Sequence, residues 1–409
     1  LKIVFATDQY WPCISGVSVS VDAFRVALMQ LGHQVILLAP QYPQSSALDD
    51  QRQVAHLHRF ASMAAPFNDE NRLVRFSEKA RIEALLVDID PDIIHVHTEF
   101  TLGRMVSHFA RDRKIPLVMT AHTNWEELID LYIPWIPKVL SRLFCRFRMR
   151  SCYRIADTLV LPTTLMEKYI ERLSLRGPSV IIPTGIDPDD FAATPEQMSV
   201  LKADIIQKFP ELSGKRILFF AGRLGLEKNI PFLFQMLKLV LLEQPETMLV
   251  IAGDGPARSE LEQRVLQQGL SSHVVFTGFV ERSVIKGLYS LSDIFVFASK
   301  VESQGMVALE AMTCGTPVVA IGKMGTLEIM HGDNGGFMVE DDIHEFASRV
   351  LLLLSDPRVY ALKCADALKH AQNWYMRAQG AKMHHLYQSL VSQEDSVVER
   401  DTFHGATAT

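Results

Sequence analysis

Short, nearly continuous apolar runs alternate with longer helical stretches along the whole chain, and this alternation constrains the fold more than any other feature. The runs Ile3–Ala6, Gln34–Ala39, Ile93–His97, Pro116–Thr120, Thr158–Leu161 and Val180–Ile182 have the pattern of parallel strands buried on both faces. Val17–Leu31, Asn71–Val87 and Leu102–Arg113 read as helices between them. Strand, helix, strand in repetition predicts a doubly wound parallel α/β sheet. The pattern then restarts. Ile182-Pro183-Thr184-Gly185-Ile186-Asp187-Pro188 is a turn-rich break, with the join expected near Thr184–Phe191. A second series follows at Arg216–Ala221, Leu249–Ala252, Val274–Thr277, Ile294–Ala298 and Pro317–Ala320. The expectation is therefore two Rossmann-like domains facing a cleft, at residues 1–186 and 187–372. A terminal helix is expected within 373–391, packing back on the first domain, and a polar, frayed tail over 392–409.

Length and charge narrow the function classes. A chain of 409 residues fits two or three domains at ~150 residues each. Forty-one basic residues against 47 acidic ones give a net charge of −6, which argues against a general nucleic-acid binder. The five cysteines, Cys13, Cys145, Cys152, Cys314 and Cys364, are scattered without a Cys-x-x-Cys pair. That excludes a disulfide scaffold or a cysteine zinc site and fits a reducing compartment. No apolar run reaches the ~18 residues of a spanning helix. Residues Lys2 to Ala6 read directly as a strand, not as a signal peptide, so a cytoplasmic protein is expected.

Ligands of open α/β sheets sit at the carboxyl ends of the strands, so the chemistry is sought there. Arg216–Ala221 leads into Gly222-Arg223-Leu224-Gly225-Leu226-Glu227-Lys228-Asn229. Two cations five residues apart on a glycine-containing loop suit one diphosphate, with Arg as a fork and Lys as a point charge. Leu249–Ala252 leads into Gly253-Asp254-Gly255-Pro256, where Arg258 replaces the third glycine of a dinucleotide fingerprint. A tight turn near phosphate fits better than NAD binding. Ile294–Ala298 leads into Ser299-Lys300-Val301-Glu302-Ser303-Gln304-Gly305 and then a helix. The free N–H groups at Gly305, Met306 and Val307 form an anion site. Glu310, a turn and a half further on between apolar neighbours, suits the vicinal hydroxyls of a ribose, and Glu302 suits a sugar.

In the first half, Ile3–Ala6 leads to Gly16 at a helix start, where backbone approaches an anion closely. Pro116–Thr120 leads to His122, placed for a sugar hydroxyl or a proton. His95 and His97 alternate along a strand and read as core and rim groups, since no third metal ligand accompanies them. Asp88-Ile89-Asp90 ends a helix before a turn and Asp187-Pro188-Asp189 sits in the interdomain break, so neither carboxylate pair reads as a metal site. No Walker loop is present, because Met324 follows Gly322-Lys323.

Together these segments resemble the retaining glycosyltransferases of family 4, with GT-B architecture, over nearly the whole chain. The resemblance is carried by Gly222-Arg223-Leu224 with Lys228-Asn229, by Gly253-Asp254-Gly255-Pro256, and by Glu302 and Glu310 eight residues apart. Gly315-Thr316-Pro317-Val318-Val319-Ala320 and Asp333-Asn334-Gly335-Gly336 add to it. It implies that residues 1–186 bind the acceptor and 187–372 the nucleotide sugar. Arg223 and Lys228 would hold the donor diphosphate, with Gly222 and Gly253 beside it. Glu310 would hold the ribose. Glu302 and the N–H groups of Gly305 to Val307 would hold sugar and phosphate, and His122 would contact the transferred sugar. The family commonly has two glycines in the first loop, where this chain has Ser15-Gly16. Fixed cations and helix-start N–H groups would replace a metal ion, so no metal or other cofactor is expected. Retention, through a front-face mechanism assisted by the donor phosphate, is also an implication of the resemblance.

His97-Thr98-Glu99-Phe100-Thr101-Leu102-Gly103 and Ala121-His122-Thr123-Asn124-Trp125 with Tyr132-Ile133-Pro134 resemble the branch that glucosylates diacylglycerol. That branch implies UDP-glucose as donor and a lipid acceptor. Leu131–Ala156 carries Lys138, Arg142, Arg146, Arg148, Arg150 and Arg154 and no Asp or Glu. At 100° per residue, Leu140, Leu143, Phe144 and Phe147 fall on one side, with Lys138, Arg142, Arg146 and Arg150 broadly opposite. With Tyr132 and Trp135 before it, this reads as an interfacial helix on an anionic membrane surface. A nucleotide-sugar epimerase would share fold and donor without needing a lipid surface. A phosphorylase would need pyridoxal phosphate, and a non-catalytic membrane binder would not need the full donor set. Within transferases, the alternative is a mannosyl- or other hexosyltransferase acting on phosphatidylinositol or a lipid-linked glycan.

Overall fold

The computed structural model describes residues 1–13, 15–43, 54–65, 68–126, 138–175, 177–191, 194–302, 304–323, 325–330 and 334–404. Two compact units form. The first contains Leu1–Glu126, the described part of Trp135–Gly185, and the chain from Met376 onward; the second is Ile186–Tyr375.

The first unit holds a seven-stranded parallel sheet of β1 (Lys2–Ala6), β2 (Gln34–Pro40), β3 (Leu57–Phe60), β6 (Ile93–Val96), β7 (Leu117–Thr120), β8 (Thr158–Leu161) and β9 (Ser179–Ile181). Its spatial order is β3-β2-β1-β6-β7-β8-β9. β1 pairs with β2 on one side and β6 on the other, so the winding reverses between β1 and β6. The inner strands β1, β2, β6, β7 and β8 are almost wholly buried while the edge strands β3 and β9 are mostly half-buried, and alternate residues feed two apolar clusters, Val4 and Ala6 on one face and Ile3 and Phe5 on the other. The long terminal helix Met376–His404 closes the second face with Met376, Met383 and Tyr387. Each such fully buried side chain contributes roughly 1.5–3 kcal/mol. The approach is close: a Cβ at Gly380 would lie 2.9 Å from the Ala27 Cβ in helix Gly16–Gln30. The helix continues through His404, where a frayed tail is expected from 392. Gln-Glu-Asp-Ser-Val-Val-Glu-Arg is polar but contains no Gly or Pro to stop a helix. The residues 405–409 lie outside the described ones.

A second departure concerns Asn71–Val87. Its first residues belong to β5 (Asn68–Val74), antiparallel to β4 (Ser62–Ala65), and the helix starts only at Lys79. Here pairing overrides helical periodicity. Ser62 faces Val74, and the Arg72 guanidinium donates to the Ser62 hydroxyl and carbonyl at 3.0 and 3.1 Å.

The second unit holds a six-stranded parallel sheet of β10 (Arg216–Ala221), β11 (Thr247–Ala252), β12 (Val274–Gly278), β13 (Ile294–Phe297), β14 (Val318–Ile321) and β15 (Gly336–Val339). The order is β12-β11-β10-β13-β14-β15, so its winding reverses between β10 and β13. One continuous core fills both faces. β15 is not among the sequence-expected strands, because its Gly-Gly start reads as a turn.

Candidate active site

The chemistry-bearing residues of the second unit lie after β10 and β13, the two strands that flank its switch point. Arg223 and Lys228 follow β10, on a loop that includes the 3-10 turn Leu226–Lys228. Their positive charges are met by carboxylates. The Arg223 guanidinium lies 3.6 Å from Glu227, and the Lys228 ammonium lies 2.7 Å from Glu302. The Phe297 ring centroid is 5.7 Å from that ammonium. All four side chains are less than a quarter exposed, so an acid at each cation limits the cost of an unpaired charge.

Backbone bonds hold the loops in register. The Lys300 N–H and the Ser299 hydroxyl both donate to the Glu227 carbonyl, at 3.0 and 3.2 Å. The Gly325 N–H donates to the Glu302 carbonyl at 2.9 Å. Gly253 stacks on the β10 loop: a Cβ there would stand 2.0 Å from the Gly222 carbonyl oxygen. Close packing of two strand-end loops therefore accounts for the glycine at 253. Gly305, at φ +83°, turns the chain into helix Met306–Thr313, whose first N–H groups have no intrahelical acceptors. Ser303 and Asp333 lie outside the described residues.

Glu310 sits within that helix. The Tyr289 hydroxyl donates to its Oε2 at 2.8 Å. Burial pushes the carboxyl up to about 7, against the opposing pull of the Tyr289 hydrogen bond and of Arg282. The linear sequence does not flag Tyr289 as a partner of Glu310, since it lies 21 positions away on another helix.

In the first unit, the residues follow β6 and β7, beside the switch point. His122 is nearly buried, and its Nε2 lies 3.3 Å from His97 Nδ1. The His97 ring stacks on His95 at 4.1 Å. His95 is held between the Tyr387 hydroxyl at 2.5 Å and the Thr120 hydroxyl at 2.7 Å. Burial pushes all three imidazoles down, His122 to about 4, so His122 is neutral at pH 7. It offers a hydrogen bond and is a poor proton donor. His95 and His97 are interior groups, and among the described residues no cluster of three His, Cys, Asp or Glu is placed to hold a metal.

Gly16 opens helix Gly16–Gln30, but Ser15 and Ser18 form a capping box there. The Ser18 N–H is taken by the Ser15 hydroxyl, and a Cβ at Gly16 would meet nothing within 4 Å. Packing thus supplies no reason for glycine at this start. Two buried acids escape sequence reading. Asp8 caps helix Thr101–Arg113, accepting from the Leu102 and Gly103 N–H groups at 3.0 and 3.3 Å. Glu99 accepts from the Tyr153 hydroxyl, and burial pushes its carboxyl up to about 7.

Tyr153 ends the basic helix, which spans Lys138–Tyr153. Its inner face is Ser141, Cys145, Met149 and Cys152, all buried. The opposite face exposes Val139, Leu140, Leu143, Phe144 and Phe147, with Phe147 71% exposed. The arginines therefore flank the apolar stripe, because the side opposite it is the packed one. The absence of an acid within the segment is compensated from outside it: Glu126 pairs with Arg146 at 2.8 Å. Arg142 is exposed and Arg150 half-buried. Lys138 opens the helix, and its side chain is outside the described set, as are Trp135, Tyr132, Ile133 and Pro134 entirely.

Similar parallel, doubly wound sheets occur in Anabaena HepE with UDP and glucose (TM-score 0.74, 18% identity, 95% of this chain and 100% of that one). They also occur in a sucrose-phosphate synthase from Thermosynechococcus elongatus (TM-score 0.75, 18% identity, 96% and 100%). The fold is that of the GT-B glycosyltransferases. Residues 14–190 match the Glycosyltransferase Family 4 model, and residues 202–375 match Glycosyl transferases group 1. The chain therefore carries both glycosyltransferase domains, one in each half, and is a glycosyltransferase. Its relatives include the alpha-monoglucosyldiacylglycerol synthases of Streptococcus pneumoniae (26% identity, 98% of this chain, 90% of the relative) and Acholeplasma laidlawii (23%, 98% and 100%). A GDP-mannose-dependent alpha-(1-6)-phosphatidylinositol dimannoside mannosyltransferase of Mycobacterium tuberculosis is 24% identical over 92% of this chain and 94% of its own length.

Proposed function

We propose that this chain is a retaining, metal-independent hexosyltransferase that moves glucose from UDP-glucose to a lipid hydroxyl, such as that of diacylglycerol, at a membrane surface. The exposed Leu140–Leu143–Phe144–Phe147 stripe carries the lipid half of the reading. It is an apolar surface flanked by cations, on a helix whose inner face is bonded to the strand-end residue Glu99. Among the described residues no helix is long and apolar enough to cross a membrane, so the reading is peripheral attachment at the inner face of the cell membrane. The names of the two alpha-monoglucosyldiacylglycerol synthases support glucose and diacylglycerol.

For the donor half, the bond from the sugar anomeric carbon to the diphosphate oxygen breaks, and the acceptor oxygen bonds to that carbon. The acceptor proton passes to the departing phosphate. Arg223, Lys228 and the N–H groups at Gly305 to Val307 stabilise the developing anion without reorganising. Glu302, released from Lys228 as the diphosphate enters, is then available to sugar hydroxyls. Neutral His122 hydrogen-bonds the transferred sugar. Glu310 takes the ribose. The mannosyltransferase relative favours one alternative, a hexose other than glucose placed on a phosphatidylinositol-type acceptor.

The test is a panel of nucleotide sugars offered with a total lipid extract, with mass spectrometry of the product and the anomer assigned by NMR. A glucosylated lipid of retained configuration, formed equally in EDTA, is the expected result. A water-soluble product only, or strict metal dependence, overturns it.

A further inference from the structure

We propose that Tyr289 is a positioning residue for Glu310: its hydroxyl fixes one carboxylate oxygen so that the other is presented to the vicinal hydroxyls of the donor ribose. This rests on the reading of Glu310 as the ribose ligand. Tyr289 lies in helix Arg282–Leu291 and is fully buried. Three rings hold its own ring: Phe219 and Phe295 from β10 and β13 at 5.0 and 5.5 Å, and Phe191 at 6.0 Å. Its backbone is pinned as well, because the Thr316 hydroxyl donates to the Tyr289 carbonyl at 2.7 Å. That bond gives the Gly315-Thr316-Pro317 turn a task that its sequence alone does not suggest.

The direction of the phenol O–H is thus set by the core of the second unit. It points at Glu310 Oε2, 2.8 Å away, the one hydrogen bond that carboxylate makes among the described residues. An ionised carboxylate has roughly four acceptor sites. Tying one oxygen to a rigid donor removes the freedom of the terminal torsion and leaves Oε1 aimed in a fixed direction. A cis-diol is two donors in a fixed relation and is matched by an acceptor held still. The charged groups around Glu310 are Arg282 and Asp190, paired with each other at 2.5 Å, while the thiol of Cys314 and the ammonium of Lys286 lie beyond. Burial raises the Glu310 carboxyl and the Tyr289 bond opposes that rise, so losing the hydroxyl drives the carboxyl still higher.

The experiment measures binding of UDP and of 2′,3′-dideoxy-UDP to the full chain by calorimetry, from pH 5.5 to 8.5. Wild type is expected to prefer UDP by about tenfold or more at high pH, the effect of hydrogen bonds to a charged acceptor. The preference fades as Glu310 protonates. In Glu310→Gln it collapses toward unity at every pH. In Tyr289→Phe it shrinks at neutral pH, and its midpoint moves to higher pH. 3-Fluorotyrosine at 289 keeps the shape and sharpens the donor, so it moves the midpoint down. A merely structural Tyr289 weakens both nucleotides alike and leaves ratio and midpoint in place, which overturns the proposal while the ribose reading stands. A wild-type preference near unity instead overturns the ribose reading itself.

Discussion

Replacing Phe144 and Phe147 by serine isolates the apolar half of the proposed membrane contact from the fold. The two rings are 62% and 71% exposed, so neither stabilises the unit appreciably and the thermal midpoint is expected to stay put. Complete burial of a phenylalanine yields roughly 1.5–3 kcal/mol, so inserting the exposed two-thirds of each ring into lipid yields ~1–2 kcal/mol, or ~2–4 kcal/mol for the pair. At ~1.4 kcal/mol per decade this is a fall in vesicle partitioning of about 30-fold at the low end and several hundred-fold at the high end. The assay is co-sedimentation with phosphatidylcholine vesicles containing phosphatidylglycerol, at low and at physiological salt. Turnover on a short-chain acceptor dispersed below its critical concentration serves as control. Arg142→Glu with Arg150→Glu tests the electrostatic half. Each cation near an anionic surface is worth about 1 kcal/mol, and reversal makes the loss salt-dependent, whereas the phenylalanine effect is not. Arg146 is left intact, because a glutamate there would face Glu126 and confound binding with folding. A serine double variant that sediments like wild type, with turnover on vesicle-borne acceptor unchanged, refutes the interfacial stripe.

Arg223→Ala and Lys228→Ala should each lower kcat by about 10²–10³, as loss of a fixed anion-stabilising donor does, with little change in melting temperature; near-normal turnover in both removes the diphosphate assignment. Glu99 and Glu310 are both raised by burial from 4.5 to about 7. Between those two values each carboxyl binds more protons in the folded state than in the unfolded one, so its own contribution to stability falls as pH rises from about 4.5 through 7, opposite in sign to that of the buried imidazoles His95, His97 and His122, whose burial lowers them and makes stability rise with pH over the acidic side of that range. Glu99→Gln and Glu310→Gln should each make the slope of thermal stability against pH more positive over that range, and an unaltered slope in both contradicts the buried-acid account. His122, held near 4, should leave no ionisation of its own in the kcat/KM profile between pH 5 and 8. A limb near pH 6.5 that vanishes in His122→Asn would show instead that the imidazole titrates.

The strands that surround the candidate site were legible because a parallel strand buried on both faces has one reading in any context. Arg216–Ala221 is a strand by composition before it has a neighbour. The residues just after the β10 and β13 strands were legible for the same reason: once the strands are placed, topology says where ligands go. What stayed hidden depends on distant partners. Asn68–Val74 is polar enough to continue a helix until Ser62–Ala65 pairs with it. Asp8 looks like any loop acid until a helix start 93 residues away supplies its donors. The basic helix shows the limit most clearly. Its helical projection separates Leu140, Leu143, Phe144 and Phe147 from Arg142 and Arg146, and on sequence alone the cationic side is read as the opposite of the apolar one. Yet a helix attached to a domain has a third side. Ser141, Cys145, Met149 and Cys152 form it from small and sulfur-bearing residues with little hydrophobic signal, and they turn the larger hydrophobic groups outward. An apolar stripe that a protein core declines to bury, on a helix well able to bury its other face, is a stronger argument for a lipid partner than amphipathicity alone. The same packing ties that helix to Glu99 through Tyr153 and Cys152, so hydrogen bonds join the helix that carries the exposed stripe to the loop that follows β6, where His97 faces His122.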